Sequence, residues 1–346
     1  MKKITEIVGI LSAALLIVGC QNSENDLEEM NAKPTEERAA NEHNQDNKQE
    51  LITNDDNNMI EKNEESLPEA DQNDMNTYTR TVETPTYLIG SQYIEAEVDG
   101  VVRFYTAFSI KRDEDQKLSR EDTIEISLNE GDLSEQDILS TYADISVDWP
   151  KLHLHFNEDG NELSATSAQS VLFYDSLLAI SDLYGIEEVL FFNSEGEEDI
   201  IVAERGIDEP IIVQNERGLT RGYYTVYDEE LKETLFLAGG ELGERVEHER
   251  GESLSFPETV ETMNSVDRED AFYSSAIVEG LEIINSSMEN GSATVRYTAE
   301  EEIVTEEDLI VFERAMQLAA LDFHAEEIRL INDTTEESIT YPLIGQ

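Results

Sequence analysis

Cysteine and histidine are both scarce in this sequence. Cys20 is the one cysteine among 346 residues, so no disulfide can form within the chain. An exported protein without disulfides depends on its apolar core for stability. The five histidines include His43, which lies in a strongly polar segment, so four remain that could serve a folded domain. Chemistry based on thiols or on histidine clusters is therefore poorly supported.

Cations are also few. The chain has 23 Lys and Arg residues against 79 Asp and Glu residues, and its formal net charge is −56. Nucleic-acid binding depends on Lys and Arg displacing the counterions of the phosphates, so this charge excludes a binder of the phosphate backbone. It also argues against docking of the protein body onto anionic lipid. We therefore predict no nucleic-acid partner.

The N-terminus has the three zones of a secretory signal. Lys2 and Lys3 supply the positive charge, Ile7–Val18 supplies the apolar run, and Gly19 comes directly before Cys20. An apolar run of about twelve residues is too short for the ~20 needed to span a bilayer, which disfavours a transmembrane anchor. An aliphatic pair followed by glycine and cysteine is typical of bacterial lipoproteins. We therefore predict a signal peptide at residues 1–19 and a lipid-modified Cys20 that anchors the protein to the membrane on its extracytoplasmic side.

Residues 20–76 read as a disordered acidic tether. The segment contains no aromatic residue and is dense in Asn, Asp and Glu, and its basic residues are Lys33, Arg38, Lys48 and Lys62. Such a composition cannot bury enough apolar surface to offset the entropy lost on ordering. As a flexible coil the segment would reach roughly 40 Å. Aromatic and β-branched residues return near Tyr78, where we expect the folded part to begin.

An internal repeat is the most informative feature of that folded part. Residues 166–193 align with residues 305–332 at a constant offset of 139 positions and without a gap. The aligned apolar pairs include Phe173 with Phe312, Leu177 with Met316, and Tyr184 with Phe323. Upstream, Leu152–Phe156 aligns with Ala293–Tyr297, and Val101–Tyr105 is matched with Tyr223–Tyr227 as an opening strand.

Each copy predicts a strand, a capped helix and a second strand. Thr166 and Thr305 are N-cap residues, with Gln169 and Asp308 at the position of a capping-box partner. The apolar residues that follow recur at the spacing of one helix face. Phe256–Met263 and the shorter Ser134–Tyr142 are further helix candidates, each followed by a short strand, at 281–284 and 145–147.

We therefore predict an α+β fold of two similar β-α-β-β-α-β units, with helices packed on one face of a small sheet. The predicted boundaries are 77–205 for the first domain, 206–218 for the junction and 219–346 for the second domain.

This arrangement resembles the tandem GerM-domain lipoproteins of spore-forming bacteria. The residues that carry the resemblance are the two alternating strands, the two capped helices and the strands Glu187–Phe192 and Glu326–Ile331. Gly185–Phe191 fits the family pattern G-V-x-x-V-x-F closely, whereas the second copy has His324 in place of the glycine. The resemblance covers about residues 95–345. It implies a protein of the cell envelope that acts in sporulation or germination by assembly with other proteins.

Few residues have a spacing that points to catalysis or metal binding. His153 and His155 alternate on one strand and share a face, as two metal ligands would, but no third ligand is evident. Carboxylate pairs occur throughout at this acidic density, and the sequence has no Gly-x-Ser-x-Gly elbow. We predict no catalytic residue, no cofactor-binding residue and no metal site.

The resulting functional hypothesis is a non-enzymatic envelope lipoprotein that binds envelope or sporulation proteins. The alternative is a lipoprotein that captures a solute or a peptide in a cleft between its two domains, because acidic surfaces attract cationic ligands. A cell-wall hydrolase is a third alternative, and it would require a cleft that holds a perturbed carboxylate.

Overall fold

The computed structural model describes residues 78–83, 86–113, 118–158, 160–217 and 221–343. The strands are β1 (Thr79–Val82), β2 (Thr86–Val98), β3 (Val101–Asp113), β4 (Ala143–Asp148), β5 (Lys151–Phe156), β6 (Glu188–Phe192), β7 (Ile200–Val202), β8 (Arg205–Ile207), β9 (Ile211–Ile212), β10 (Tyr223–Asp228), β11 (Glu233–Ala238), β12 (Leu281–Glu289), β13 (Ser292–Ala299), β14 (Glu327–Asn332) and β15 (Glu337–Pro342). The helices are α1 (Arg120–Glu130), α2 (Ile138–Tyr142), α3 (Ser167–Leu183), α4 (Val213–Arg217), α5 (Gly239–Leu242), α6 (Phe256–Thr262) and α7 (Glu306–Asp322), and a 3₁₀ turn spans Gly160–Leu163. Within these ranges, no helix combines the length and the apolar character needed to cross a bilayer.

The strands in the described ranges form three main sheets and one small hairpin. The first-copy sheet has the order β4-β5-β6-β9, and the second-copy sheet has the order β1-β15-β14-β13-β12. A central sheet, β10-β11-β3-β2, takes one hairpin from each copy, and β7 pairs with β8 separately. The mixture of helices with small, mostly antiparallel sheets confirms the predicted α+β class.

The same strand–helix–strand connection occurs in both copies. In the first copy β4 and β5 are antiparallel, α3 follows, and β6 returns parallel to β5. In the second copy β12, β13, α7 and β14 repeat this order and these directions. Phe173 on α3 and Phe312 on α7 are both fully buried. The predicted repeat is thus visible as two equivalent crossover helices.

Both crossover helices begin with the predicted capping box. The Thr166 hydroxyl oxygen accepts a hydrogen bond from the Gln169 amide at 3.3 Å, and the Gln169 side chain accepts one from the Thr166 amide at 2.9 Å. Thr305 and Asp308 make the same pair of bonds at 3.2 and 2.9 Å. Each box satisfies backbone donors that the first turn of a helix leaves unpaired.

One face of each outer sheet is covered by its helix. On β13, Ala293, Val295 and Tyr297 are buried while the residues between them are partly exposed. β5 shows the same alternation, with Leu152 and Leu154 completely buried. Period-two burial is typical of a sheet with a single packed face, as the sequence pattern predicted.

The two copies meet in the central sheet, where β3 and β11 pair antiparallel. Phe108 lies opposite Phe236, and Ala107 lies opposite Leu237. All described residues belong to one compact unit, Pro68–Gln346. The domain boundaries predicted at positions 205 and 219 remain predictions. Within the predicted junction, Ile211 pairs with Val189, so this part of the junction extends the first-copy sheet.

The structure corrects one alignment and adds several elements. Val101–Tyr105 begins the second strand of one hairpin, whereas Tyr223–Tyr227 is the first strand of the other, so the alignment of these two segments was wrong. The counterparts are β3 and β11, the strands that pair with each other. α1 and β2, the first strand of the long β2–β3 hairpin, are additions, and so is β1, which pairs parallel with β15.

Arg112 of the long hairpin fastens the first copy to the second. Its guanidinium carbon lies 5.5 Å from the ring centroid of Tyr87 and 5.0 Å from that of Tyr341. Its Nη2 atom donates to Gln317 Oε1 at 2.8 Å and to the Pro342 carbonyl at 3.0 Å. A planar cation that stacks on rings and donates in a fork suits this position better than an ammonium group.

Two further arginines sit at the C-terminal ends of the crossover helices. Arg120 Nη2 donates to the Tyr184 carbonyl at 2.8 Å, and its guanidinium carbon lies 3.4 Å from the Trp149 ring centroid. Arg221 Nη1 donates to the Asp322 carbonyl at 2.8 Å. Neither helix has a basic residue in its own last turn. These arginines therefore supply the positive charge that the C-terminal end of a helix favours.

Candidate functional site

The predicted lipidation site lies outside the described residues, together with the predicted signal peptide (1–19) and tether (20–76). Nothing in the structure tests whether Cys20 carries lipid. Lipid modification of Cys20 and attachment to the membrane therefore remain predictions from the sequence.

The two histidines predicted to share a strand face lie on the uncovered face of the first-copy sheet. The ring centroids of His153 and His155 are 6.3 Å apart, and the His155 ring stacks on Phe192 at 4.4 Å. No cluster of three or more potential metal ligands occurs among the described residues. The two imidazoles and the Phe192 ring form an aromatic patch on this strand face.

A groove of about 530 Å³ lies between β3 and α3 of the first copy, and Glu241 of the second copy also lines it. Helix α3 forms one wall, with Val171, Tyr174 and Asp175. Phe104 of β3 stands opposite, and Arg205 with Glu216 closes one end. We call this surface the β3 groove. Its volume falls within the range of roughly 300–1,000 Å³ that is typical of ligand sites.

One edge of β3 is open beside this groove. β3 is 13 residues long, but β11 pairs with it at Ala107 and Phe108 alone. β11 ends at Ala238, and the chain then turns into α5. Among the described residues, no strand lies beside Val101–Thr106 on the side away from β2. Val101–Phe104 are exposed, so the backbone donors and acceptors of these four residues on that side of β3 are available to a partner.

Packing at Gly239 explains why β11 stops there. The Gly239 amide donates to the Gly222 carbonyl at 3.0 Å. A Cβ atom at this position would lie 3.0 Å from the Arg221 carbonyl oxygen and 3.1 Å from the Tyr224 ring. This close approach directs the chain away from β3 after Ala238. The open edge thus follows from a specific turn in the second copy.

Parts of the other edges of the central sheet are occupied. On the outer side of β2, the Ile89 amide donates to the Ser127 hydroxyl of α1 at 3.0 Å. On the outer side of β10, Thr225 and Ser274 exchange two backbone hydrogen bonds, at 2.8 and 2.9 Å.

The hairpin that carries the open edge is held firmly on its opposite face. Ala96, Val98 and Tyr105 pack into a small core with residues of the second copy, including Leu237 and Tyr273. These residues form the second hydrophobic cluster of the protein, separate from the main core. The β3 edge is therefore presented on a packed support.

The side chains beside the open edge are apolar and exposed. Val102 is 53% exposed, Phe104 is 46% exposed, and Val171 across the groove is 60% exposed. Tyr93 on β2 is 54% exposed and contacts the edge of the Phe104 ring, with centroids 6.0 Å apart. A cluster of exposed large apolar side chains in so acidic a chain suggests a contact surface.

Acidic groups dominate the polar part of the groove. Arg205 donates to both carboxylate oxygens of Glu216, at 3.1 and 3.2 Å, and its guanidinium carbon lies 5.2 Å from the Tyr174 ring centroid. This bidentate pair satisfies the one cation in the lining. Asp175 makes no hydrogen bond or ion pair with the described residues, and burial against the groove wall raises the pKa of its carboxyl. Glu241 of α5 adds a further carboxylate.

A second groove, of about 480 Å³, lies between α6 and the edge strand β12. Strand pairing there is interrupted by a bulge between Ile283 and Asn285. A bulge on an edge strand hinders the addition of another strand. This groove is therefore a weaker candidate for a binding site than the β3 groove.

Sequence reasoning did not identify the β3 groove. Val171 gave a usable signal, because it is an apolar residue on the face of α3 opposite the Phe173 stripe. The alternation of Val102 and Phe104 gave another. The open edge of β3 could not be inferred, because it depends on where a strand more than a hundred residues away ends.

Comparison with known proteins gives a structural match. No family model matches this chain, and no curated protein matches it either. The tandem GerMN domains of the sporulation protein GerM from Bacillus subtilis are similar in structure, with a TM-score of 0.40 and 10% sequence identity. The match covers 75% of this chain and 100% of the GerM chain. It names the same family that the sequence resembles.

Proposed function

We propose that this protein is a lipid-anchored lipoprotein on the extracytoplasmic side of the membrane, with a non-enzymatic role. It binds other envelope proteins, in a process related to sporulation or germination. The sporulation setting rests on the resemblance of its sequence to GerM-domain lipoproteins. The N-terminal sequence supports the anchor, because Gly19 and Cys20 end an apolar run too short to span a bilayer.

The observation that carries the proposed binding role is the exposed apolar surface at the β3 groove. A strongly acidic surface keeps a protein soluble and repels anionic partners. Large apolar side chains left exposed on such a surface, at Tyr93, Val102 and Phe104, are unfavourable unless they are covered in use. These side chains stand on a hairpin whose opposite face packs into the second hydrophobic cluster. This packed support favours a recognition surface over a flexible loop.

Membrane attachment is tested by fractionation. Wild type should sediment with membranes and enter detergent, whereas Cys20→Ser should lose lipid labelling with radioactive palmitate. Equal labelling of both forms would refute the assignment of Cys20.

The binding role is tested by photocrosslinking in intact cells. A photoreactive residue in place of Phe104 should give discrete adducts with an envelope protein. The same residue in place of Ile303, which is 48% exposed and lies outside the groove, serves as the control. Equal crosslinking from both positions, or none from Phe104, would contradict the proposed binding role.

A solute-binding lipoprotein is the second candidate function, because the β3 groove has the volume of a ligand pocket. A thermal-shift screen with envelope solutes separates the two. A specific solute at 100 times its Kd adds about 2.7 kcal/mol to the free energy of unfolding. A solute hit that Phe104→Ser abolishes would favour this candidate over a protein partner.

A further inference from the structure

We propose that the β3 groove binds an extended peptide segment of a partner protein, one rich in lysine or arginine and in apolar residues. The segment adds as a new strand along Val101–Phe104. This inference rests on the proposed binding function and specifies how the partner is recognised.

The backbone of β3 supplies the first requirement of strand addition. The four exposed residues of open edge extend about 13 Å, at 3.3 Å per residue, and an arriving segment of similar length could pair along all of it. The edge has no described bulge, in contrast to β12, and β2 completes its other side over the full length. Main-chain hydrogen bonds would provide affinity without regard to sequence.

The side chains around the edge supply the second requirement. Alternate residues of an added strand point to opposite faces, so every second side chain of the segment would contact Phe104 on the sheet or Val171 and Tyr174 on α3. These contacts favour aliphatic or aromatic residues at alternate positions. Burial of one such side chain is worth roughly 1.5–3 kcal/mol, or about a tenfold to hundredfold gain in affinity.

Charge supplies the third requirement and identifies the class of partner. Among the carboxylates of the groove, Glu216 already pairs with Arg205, and Asp175 makes no ion pair with the described residues. Cationic side chains in the segment would therefore be attracted. The chain's own residues 21–76 carry four basic residues in a predominantly acidic segment, and a second copy of a chain with net charge −56 is equally disfavoured. The occupant is thus a cationic segment of a different protein.

A peptide selection tests the charge and side-chain requirements. The full chain in detergent micelles is presented to two libraries of acetylated octapeptides with apolar residues at alternate positions. The intervening positions are Lys or Arg in one library and Asp or Glu in the other. We expect enrichment of the cationic library alone. Equal recovery of both libraries, or no enrichment of either, would overturn the proposal.

Variants then locate the binding site of the best cationic octapeptide. Phe104→Ser should weaken its affinity about tenfold or more, and Asp175→Asn roughly twofold to fivefold. The matched controls Ile303→Ser and Asp148→Asn, which change exposed residues outside the groove, should leave the affinity unchanged. If both control variants lost affinity, or if neither groove variant did, the peptide would bind elsewhere.

Hydrogen exchange tests the mode of binding. The bound octapeptide should slow amide exchange within residues 101–104, and methylation of alternate peptide amides on one edge should abolish binding. Protection that omits residues 101–104 would overturn strand addition. If these peptide experiments failed while Phe104 still gave specific crosslinks, this inference would be wrong and the proposed function would stand. Absence of the crosslinks would sink the function itself.

Discussion

Substitution of Gly131 by alanine should destabilise the first copy, and the structure gives the size of the effect. Gly131 follows α1 with φ −91°, a conformation open to any residue, so the cost is steric. An added Cβ would lie 2.4 Å from Ile180 Cδ1 and 2.9 Å from the Ser127 carbonyl oxygen. The Gly131 carbonyl also accepts hydrogen bonds from Ser91 at 2.8 Å and from Ser176 at 2.5 Å. An alanine therefore disturbs both the packing and a buried polar network.

The expected loss is about 2–3 kcal/mol of unfolding free energy. Overpacking of a dense core costs roughly 1–3 kcal/mol, and the contact with backbone at Ser127 places Gly131 toward the upper end. A lost hydrogen bond to the Gly131 carbonyl adds about 1 kcal/mol. Alanine offsets some 0.4–1 kcal/mol of this, because it reduces the entropy of the unfolded chain.

The assay is urea unfolding of the detergent-purified protein, followed by far-ultraviolet circular dichroism. Gly206→Ala is the matched control, because a Cβ there meets nothing within 4 Å and the variant should match or slightly exceed wild type. Ile180→Val removes the methyl group nearest the new Cβ, so it should cost less in Gly131→Ala than in wild type. A change below about 0.5 kcal/mol in Gly131→Ala would refute the steric reasoning.

Three further substitutions test contacts of other side chains. Arg112→Lys should cost about 1–3 kcal/mol in urea titrations, because lysine cannot keep two ring contacts and the forked hydrogen bonds; an unchanged midpoint would contradict this. Burial raises the pKa of the Glu313 carboxyl, which accepts a hydrogen bond from the Tyr341 hydroxyl. The contribution of the neutral carboxyl to the free energy of unfolding is therefore fully present below the unfolded pKa and is lost as the pH rises through the folded pKa. Unfolding free energies of Glu313→Gln should therefore exceed those of wild type by a margin that grows with pH, and a constant margin would count against this. Arg120→Gln should cost about 1–2 kcal/mol and shift the emission of Trp149, the single tryptophan; unshifted emission would exclude the stacked arrangement.

Elements set by local sequence could be predicted. α3 and α7 were found because each begins with a threonine cap and continues with an apolar stripe, and both signals lie within about twenty residues. α6 was found through Pro257 in its first turn. α1 was missed because just two of its buried residues, Ile124 and Leu128, are strongly apolar. Two such residues in an acidic stretch leave almost no helical periodicity to detect.

Features set by distant pairing could not be predicted. The β3–β11 contact joins Ala107 to Leu237, and nothing near either residue specifies the other. The β3 groove depends on this contact and on the turn at Gly239, so its existence is a property of the assembled fold. Acidic composition, by contrast, was visible from the start and is retained in the lining of the groove.

The parallel pairing of β1 with β15 has a mechanical consequence for an anchored protein. If Cys20 holds the chain to the membrane, tension reaches the fold first through Thr79–Val82, four exposed residues beside the last strand. This short ladder would yield before either crossover helix is disturbed, and its release would lengthen the connection by roughly 13 Å. A partner held in the β3 groove could then move relative to the membrane while the surface that grips it stays folded.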